Sequence, residues 1–225
     1  MNEDGIVILV NKPLEWTSFD VVKKLRYLLH TRKIGHAGTL DPLATGLLIV
    51  CTGKMTKAIE AFQSAEKEYT GTIRLGQTTP SYDLETEPTL PVDIASVTEE
   101  QVRAAASSFV GDIEQVPPAH SSIKVGGKRA YTLARKGREI TLKPRTISIR
   151  TFEIVRCQFP EVDFRVVCTK GTYIRSLAHD LGQRLGVGAY LSSLCRTRIG
   201  SYTLDQAETL EELRMRYEST QQPAG

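Results

Sequence analysis

The sequence predicts an α+β protein, with a mixed, largely antiparallel central β-sheet flanked by helices. Three observations lead to this expectation. Strand and helix patterns intermix along the chain without the regular βαβ alternation of a doubly wound sheet. Two β-branched, alternating runs, 146–156 and 162–169, follow one another as neighbouring strands do. The five residues 47–51 are continuously apolar, as in a strand covered on both faces.

In chain order, residues 6–10 form a short β-run halted by the turn signal Asn11-Lys12-Pro13. Thr17 or Ser18 then caps a helix whose stripe is Val21, Val22, Leu25, Leu28 and Leu29. Residues 34–46 carry three glycines and a proline and are expected to be irregular, a loop anchored on the buried strand that follows. Residues 66–75 read as a strand, and 77–91 as an acidic stretch rich in turn residues. A capping box of Thr98 and Gln101 opens a helix that runs to about Phe109. Pro117 and Pro118 precede a basic segment in which Gly126-Gly127 and Gly137 bracket a short helix over 131–136, the pattern of a mobile arm. After the paired strands comes a helix with Ile174, Leu177, Ala178, Leu181 and Leu185 on one face. Strand and turn follow over 187–202, and a helix opened by Asp205 runs over 204–217. The expected organisation is one catalytic domain over 1–217, including a thumb-like basic segment at 117–145, and a frayed tail at 218–225.

Charge is unevenly placed. Residues 120–150 hold nine Lys/Arg against the single acid Glu139, so this window carries +8 of a net charge of +3 and the remainder is negative. Clustering of this kind suits a polyanion, because each neutralised phosphate releases counterions. A solvated helix face gives the same signal. The four cysteines, Cys51, Cys157, Cys168 and Cys195, lack zinc or redox spacing and read as small buried hydrophobes. The acidic start and the absence of a long apolar run predict a cytoplasmic protein with no membrane contact.

Several chemistries fail on spacing. Gly53-Lys54 is followed by Met55 and not by Ser or Thr, so no phosphate loop forms there. No GxGxxG, GxSxG or HExxH is present, and His30, His36, His120 and His179 are too dispersed for a metal site. Among the residues that remain, Asp41 precedes Pro42, which favours an extended backbone and presents the carboxylate from a loop, unless it is simply a turn-forming Asp-Pro. With Thr172 as cap, Arg175 falls in the first turn of a helix, where the dipole disfavours a cation by roughly 0.3–1 kcal/mol. An anion is then implied, Asp41 or an RNA phosphate, unless the side chain swings into water. His36, Tyr69 and Tyr173 are rings that either stack on a nucleobase or fill ordinary core and surface positions.

Residues 35–48, GHAGTLDPLATGLL, closely resemble the catalytic motif of the TruB pseudouridine synthases. Four further stretches match in the same order: Asn11-Lys12-Pro13; Lys67-Glu68-Tyr69 leading to Arg74-Leu75-Gly76; Pro117-Pro118 through residues 126–131 and 134–137; and 170–175, KGTYIR. The resemblance spans about residues 5–212. It implies the pseudouridine synthase fold with an inserted thumb, and a cofactor-free, metal-free isomerase that converts uridine 55 in the T loop of tRNA to pseudouridine. By that similarity Asp41 is the essential aspartate, Arg175 the cation that holds it, and Tyr69 the ring stacked on the target uracil. His36 fills the space left by the flipped nucleotide, while Tyr173 and Leu194 line the uracil pocket. Lys12, Lys124, Lys128 and Arg129 are further expected RNA contacts. The implied partner is the T arm of tRNA, bound by a monomer that needs no other protein. One departure from the family pattern is expected, a short form without the C-terminal PUA domain of many bacterial relatives. Two other readings use the same residues: a non-enzymatic tRNA-binding or folding protein, and a guide-RNA-dependent subunit.

Overall fold

A computed structural model describes residues 4–137 and 140–219. In chain order the elements are β1 (Val7–Lys12), α1 (Ser18–Leu28), β2 (Ile34–His36), β3 (Ala44–Thr52), α2 (Ile59–Ser64), β4 (Lys67–Leu75) and α3 (Glu99–Ser107). Next come β5 (Gly111–Gln115), β6 (Lys124–Val125), β7 (Lys128–Arg129), α4 (Ala130–Ala134), β8 (Arg145–Gln158) and β9 (Glu161–Cys168). The chain ends with α5 (Ile174–Arg184), β10 (Ala189–Ile199), β11 (Tyr202–Thr203) and α6 (Leu210–Ser219). Among the described residues nine strands share one sheet, and β6 and β7 form a separate hairpin. The strand pairs are antiparallel for β1–β3, β2–β3, β5–β8, β8–β9 and β10–β11, and parallel for β3–β10. The α+β, mixed and largely antiparallel architecture expected from the sequence is therefore present.

The chain divides into two compact units, 1–69 with 194–225, and 70–193. In the first unit β3 is the central strand, and its alternation serves two cores at once. Leu48 and Val50 point to a cluster with Ile8, Val10, Val21, Val22, Leu25, Leu28 and Leu213. Leu47, Ile49 and Cys51 point the other way, to Ala37 and Ile199. Period-two alternation with both faces covered explains why this strand reads as an unbroken apolar run. Helix α1 starts at Ser18 because Thr17 caps it: the Thr17 side chain accepts from the Asp20 N–H at 3.0 Å, and the Thr17 N–H donates to Asp20 Oδ2 at 3.0 Å. Such a box stabilises a helix by about 1 kcal/mol.

In the second unit β5, β8 and β9 run antiparallel, and α3 packs Val102, Ala105 and Ala106 inward. Phe152 bridges Phe109 and Phe164, with ring centroids 6.2 and 6.0 Å away. The Gly126-Gly127 turn of the β6–β7 hairpin has φ of +56° and +81°, a conformation that only glycine adopts without strain.

Four local expectations need correction. Residues 34–46 are not wholly irregular: Ile34–His36 pairs with β3, and β3 itself begins at Ala44, which leaves 37–43 as the loop. Strand β5 was not expected, because its sequence GDIEQ has little β-branched character. The last helix starts at Leu210, since Thr209 and Glu212 make the capping box, while Asp205 lies in a short 3-10 turn, Leu204–Gln206. Only Cys51 and Cys168 of the four cysteines are buried; Cys157 and Cys195 are half-buried. The tail expected at 218–225 falls largely outside the described residues, as does Glu139.

Candidate active site

In the first unit, the loop 37–43 joins the antiparallel strands β2 and β3 and carries Asp41 at its far end. The carboxylate is half-buried, and the Asp41 carbonyl accepts from the Ala44 N–H at 3.0 Å, the turn that starts β3. Three side chains fix the backbone around it. Ser18 Oγ accepts from the Leu40 N–H at 2.9 Å and donates to the Leu40 carbonyl at 3.2 Å, so the first residue of α1 clamps the residue before Asp41. Arg196, buried in β10, donates to the carbonyls of Leu47 at 2.8 Å and Gly38 at 3.2 Å. Lys12 donates to the carbonyls of Pro13 at 2.8 Å, Trp16 at 2.5 Å and Pro42 at 3.3 Å.

Lys12 is fully buried, and burial pushes its ammonium down to about 8, against the opposing pull of the Asp41 charge. Its ammonium donates to three carbonyls, two between β1 and α1 (Pro13 and Trp16) and one in the Asp41 loop (Pro42). This side chain braces the Asp41 loop, and an expected RNA contact by its ammonium would have to displace those carbonyls. Gly46, with φ of +99°, allows the close pairing of β3 with β10: a Cβ there would lie 2.4 Å from the Arg196 carbonyl oxygen.

The remaining expected residues of this unit lie on the same strands. His36 ends β2, where burial pushes its imidazole below the ordinary value, assisted by the Arg196 charge and opposed by the Gly38 backbone. The ring is therefore neutral at pH 7. Leu194 is partly exposed on β10 and stands in register with Ala44, its carbonyl accepting from Thr45 Oγ1 at 3.3 Å. Tyr69 is largely buried on β4.

In the second unit, Arg175 is the second residue of α5. The cap is Tyr173 and not Thr172, whose hydroxyl instead donates to the Thr169 carbonyl. The inference that a cation in this first turn needs an anion has a direct answer: Arg175 Nε lies 3.4 Å from Asp83 Oδ2, and both side chains are buried. Arg175 also donates to the carbonyls of Ser81 at 3.1 Å and His120 at 2.9 Å. Asp83 is itself held, because Oδ1 accepts from the Glu85 N–H and its carbonyl accepts from Thr79 and Ser81 hydroxyls. Sequence reasoning missed Asp83, which sits in a stretch that reads only as acidic turn.

Tyr173 is half-buried; its backbone N–H and carbonyl are both bonded by the buried Gln115 side-chain amide, and the Arg145 guanidinium lies 4.6 Å over its ring. Lys128 and Arg129 are exposed on β7, paired across the hairpin with Val125 and Lys124. Further along this segment Arg135 pairs with Glu85 at 2.6 Å. Burial would raise the Glu85 carboxyl, but the bond and charge of Arg135 outweigh it and hold the group below its ordinary value.

The family follows from comparison with known proteins. The model of the TruB family pseudouridylate synthase N-terminal domain matches residues 26–174, and that of the tRNA pseudouridylate synthase B C-terminal domain matches 175–224. The chain belongs to the TruB family of pseudouridylate synthases. Family relatives named tRNA pseudouridine synthase B include one from Parabacteroides distasonis, 53% identical over 215 residues, covering 93% of this chain and 92% of the relative. Another, from Flavobacterium johnsoniae, is 51% identical over 211 residues, covering 91% and 92%. Among solved structures, a Cbf5-Nop10-Gar1 complex contains a chain matched with a TM-score of 0.75 at 33% identity, over 96% of this chain and 55% of that one. An archaeal box H/ACA sRNP Nop10-Cbf5 complex gives 0.71 at 31%, over 96% and 54%. The chain spans about half the length of these solved chains, and the partner proteins in their titles belong to those complexes.

Proposed function

We propose that this chain isomerises uridine 55 in the T loop of tRNA to pseudouridine, with Asp41 as the essential carboxylate. The observation that carries the proposal is the Asp41 loop itself. A half-buried carboxylate stands in a seven-residue loop whose flanking backbone is fixed by Lys12, Ser18 and Arg196. Fixing a reacting group before substrate arrives is how enzymes reduce the entropic part of a barrier. The names borne by relatives that match over nearly their whole length support tRNA as the substrate.

The reaction breaks the N1–C1′ bond, turns the uracil and joins C5 to C1′. The proton on C5 leaves and N1 ends protonated, so atoms and electrons balance without an oxidant, a metal or a cofactor. Asp41 serves as nucleophile or as base toward C2′, and in both roles it must be ionised. Arg175 is the cation that the resemblance assigns to this carboxylate. Tyr69 stacks on the uracil, Tyr173 and Leu194 line its pocket, and neutral His36 occupies the place the nucleotide vacates. Flipping costs a few kcal/mol, of which stacking returns roughly 1–3 kcal/mol. Phosphate contacts of the basic segment, Lys124, Lys128 and Arg129 among them, supply the rest. The enzyme works in the cytoplasm as a monomer.

Asp41→Asn preserves size and hydrogen-bonding capacity but removes the charge. The expected result is tRNA affinity within about threefold of the parent and no pseudouridine in a T-stem-loop transcript, read by chemical labelling and primer extension. Pseudouridine formed by that variant would refute the assignment and favour the non-enzymatic RNA-binding reading. Activity of the purified parent chain alone excludes dependence on a guide RNA or partner protein.

A further inference from the structure

Helix α1 has an outer face with no assigned role. At 3.6 residues per turn, Phe19, Lys23, Arg26 and Tyr27 fall within an arc of roughly 100°. The stripe packed on the core, Val21, Val22, Leu25 and Leu28, lies opposite. Phe19 is 61% exposed and Tyr27 79%. His30, just past the helix, places its ring 6.2 Å from that of Tyr27, and Arg32 and Lys33 follow, both exposed. From 23 to 33 there are five Lys/Arg and no acid. Among the described residues none of these five has a carboxylate within ion-pair distance. On α6, in the same unit, Arg214 is paired with Glu211 at 2.6 Å and Arg216 with Glu208 at 2.7 Å. The cations of α6 are ion-paired within the unit, whereas those of α1 have only longer-range charge neighbours, Asp20 for Lys23 and Glu211 for Lys24.

The start of this face is tied to the candidate catalytic loop. Ser18, next to Phe19, makes both hydrogen bonds to Leu40, the neighbour of Asp41. From there α1 extends for about 16 Å. Exposed rings interleaved with cations outside direct ion pairs are the chemistry of a track for unpaired nucleic acid, in which bases stack and phosphates are neutralised. A solvated helix face needs the cations but not the rings, since leaving two large aromatic side chains in water forfeits their burial.

We propose that the outer face of α1 is a second RNA-binding track. It takes an unpaired segment of the RNA substrate lying outside the stem-loop that carries the target uridine. Phe19 and Tyr27 are the stacking surfaces, and Lys23, Arg26, Arg32 and Lys33 the phosphate contacts. The proposal rests on the reading of the chain as a tRNA-modifying enzyme, and its test separates the two.

Two variants of the full chain, Phe19→Ala/Tyr27→Ala and Lys23→Glu/Arg26→Glu, are compared with the parent. The probes are a full-length unmodified tRNA transcript and an isolated T-stem-loop transcript, titrated at several salt concentrations. The ring-deleted variant is expected to bind full-length tRNA roughly tenfold more weakly, the loss typical of one stacked base, while T-stem-loop affinity changes less than twofold. The charge-reversed variant is expected to reduce the slope of log K against log salt by more than 1 for full-length tRNA only. Unchanged binding of full-length tRNA, or an equal loss on both RNAs, overturns the track. A parent chain that makes no pseudouridine in either RNA refutes the functional reading instead, and the binding comparison still decides the track.

Discussion

Replacing Arg175 and Asp83 one at a time and together measures how far the second unit depends on their pair. Both residues are about nineteen-twentieths buried, and the partners of the guanidinium include the Asp83 carboxylate and the carbonyls of Ser81 and His120. Arg175→Met removes the cation and leaves a buried carboxylate facing a thioether. Breaking a buried pair in this way costs about 3–5 kcal/mol, because the remaining charge loses its compensation. Asp83→Asn keeps the Oδ1 bond from the Glu85 N–H but turns an amide donor or a neutral oxygen toward Arg175, for about 2–3 kcal/mol. The double variant removes both charges of this pair, so it should cost about 3–4 kcal/mol, well short of the sum of the two singles. The expected coupling is thus roughly 2–3 kcal/mol. Urea unfolding at pH 7, followed by circular dichroism with m-values checked for constancy, reads all four proteins. Additive losses within about 0.5 kcal/mol would mean that the 3.4 Å approach contributes nothing, and the account of Arg175 as a cation anchored by Asp83 would fail.

Two other perturbations probe the bracing of the Asp41 loop. The Lys12 ammonium lies at about 8 in the folded chain against 10.5 for a free lysine, so between these values the unfolded chain binds more protons and stability rises with pH. The parent should gain up to about 3 kcal/mol relative to Lys12→Met between pH 7.5 and 10.5, and denaturant midpoints that stay parallel across this range would contradict it. Gly46→Ala places a methyl 2.4 Å from the Arg196 carbonyl oxygen at a φ of +99°, whereas Gly111→Ala, at φ of +114°, meets nothing within 4 Å. Thermal melts should show a loss of more than 2 kcal/mol for the first, and of only about 1 kcal/mol, the backbone strain alone, for the second; equal losses would rule out the packing against β10.

What could be read from the sequence and what could not divide along a physical line. Period and capping are local, so α1 with Thr17 and Asp20, α3 with Thr98 and Gln101, and the doubly covered β3 were all legible. Where two local signals compete, the sequence does not say which prevails: Asp205 and Thr209 both mark helix starts, and the tertiary contact of β1 with Glu208 interrupts the first, since the Asn11 N–H donates to the Glu208 carbonyl and the Glu208 N–H to that of Leu9. For the site, the dipole argument asked for an anion at Arg175 and offered Asp41 or an RNA phosphate; it did not name Asp83, which lies 92 positions away in a segment without periodicity. Lys12 shows the reverse failure. A lysine beside a proline reads as a surface cation, and only the folded loop shows three carbonyls converging on it. A basic residue in such a sequence therefore has two physically distinct fates, solvated and available to phosphate, as along α1, or buried and bound to carbonyls, as at Lys12. Composition cannot separate them, because both carry the same charge; what separates them is whether the neighbouring backbone has carbonyls left without partners, and that is decided only by the fold.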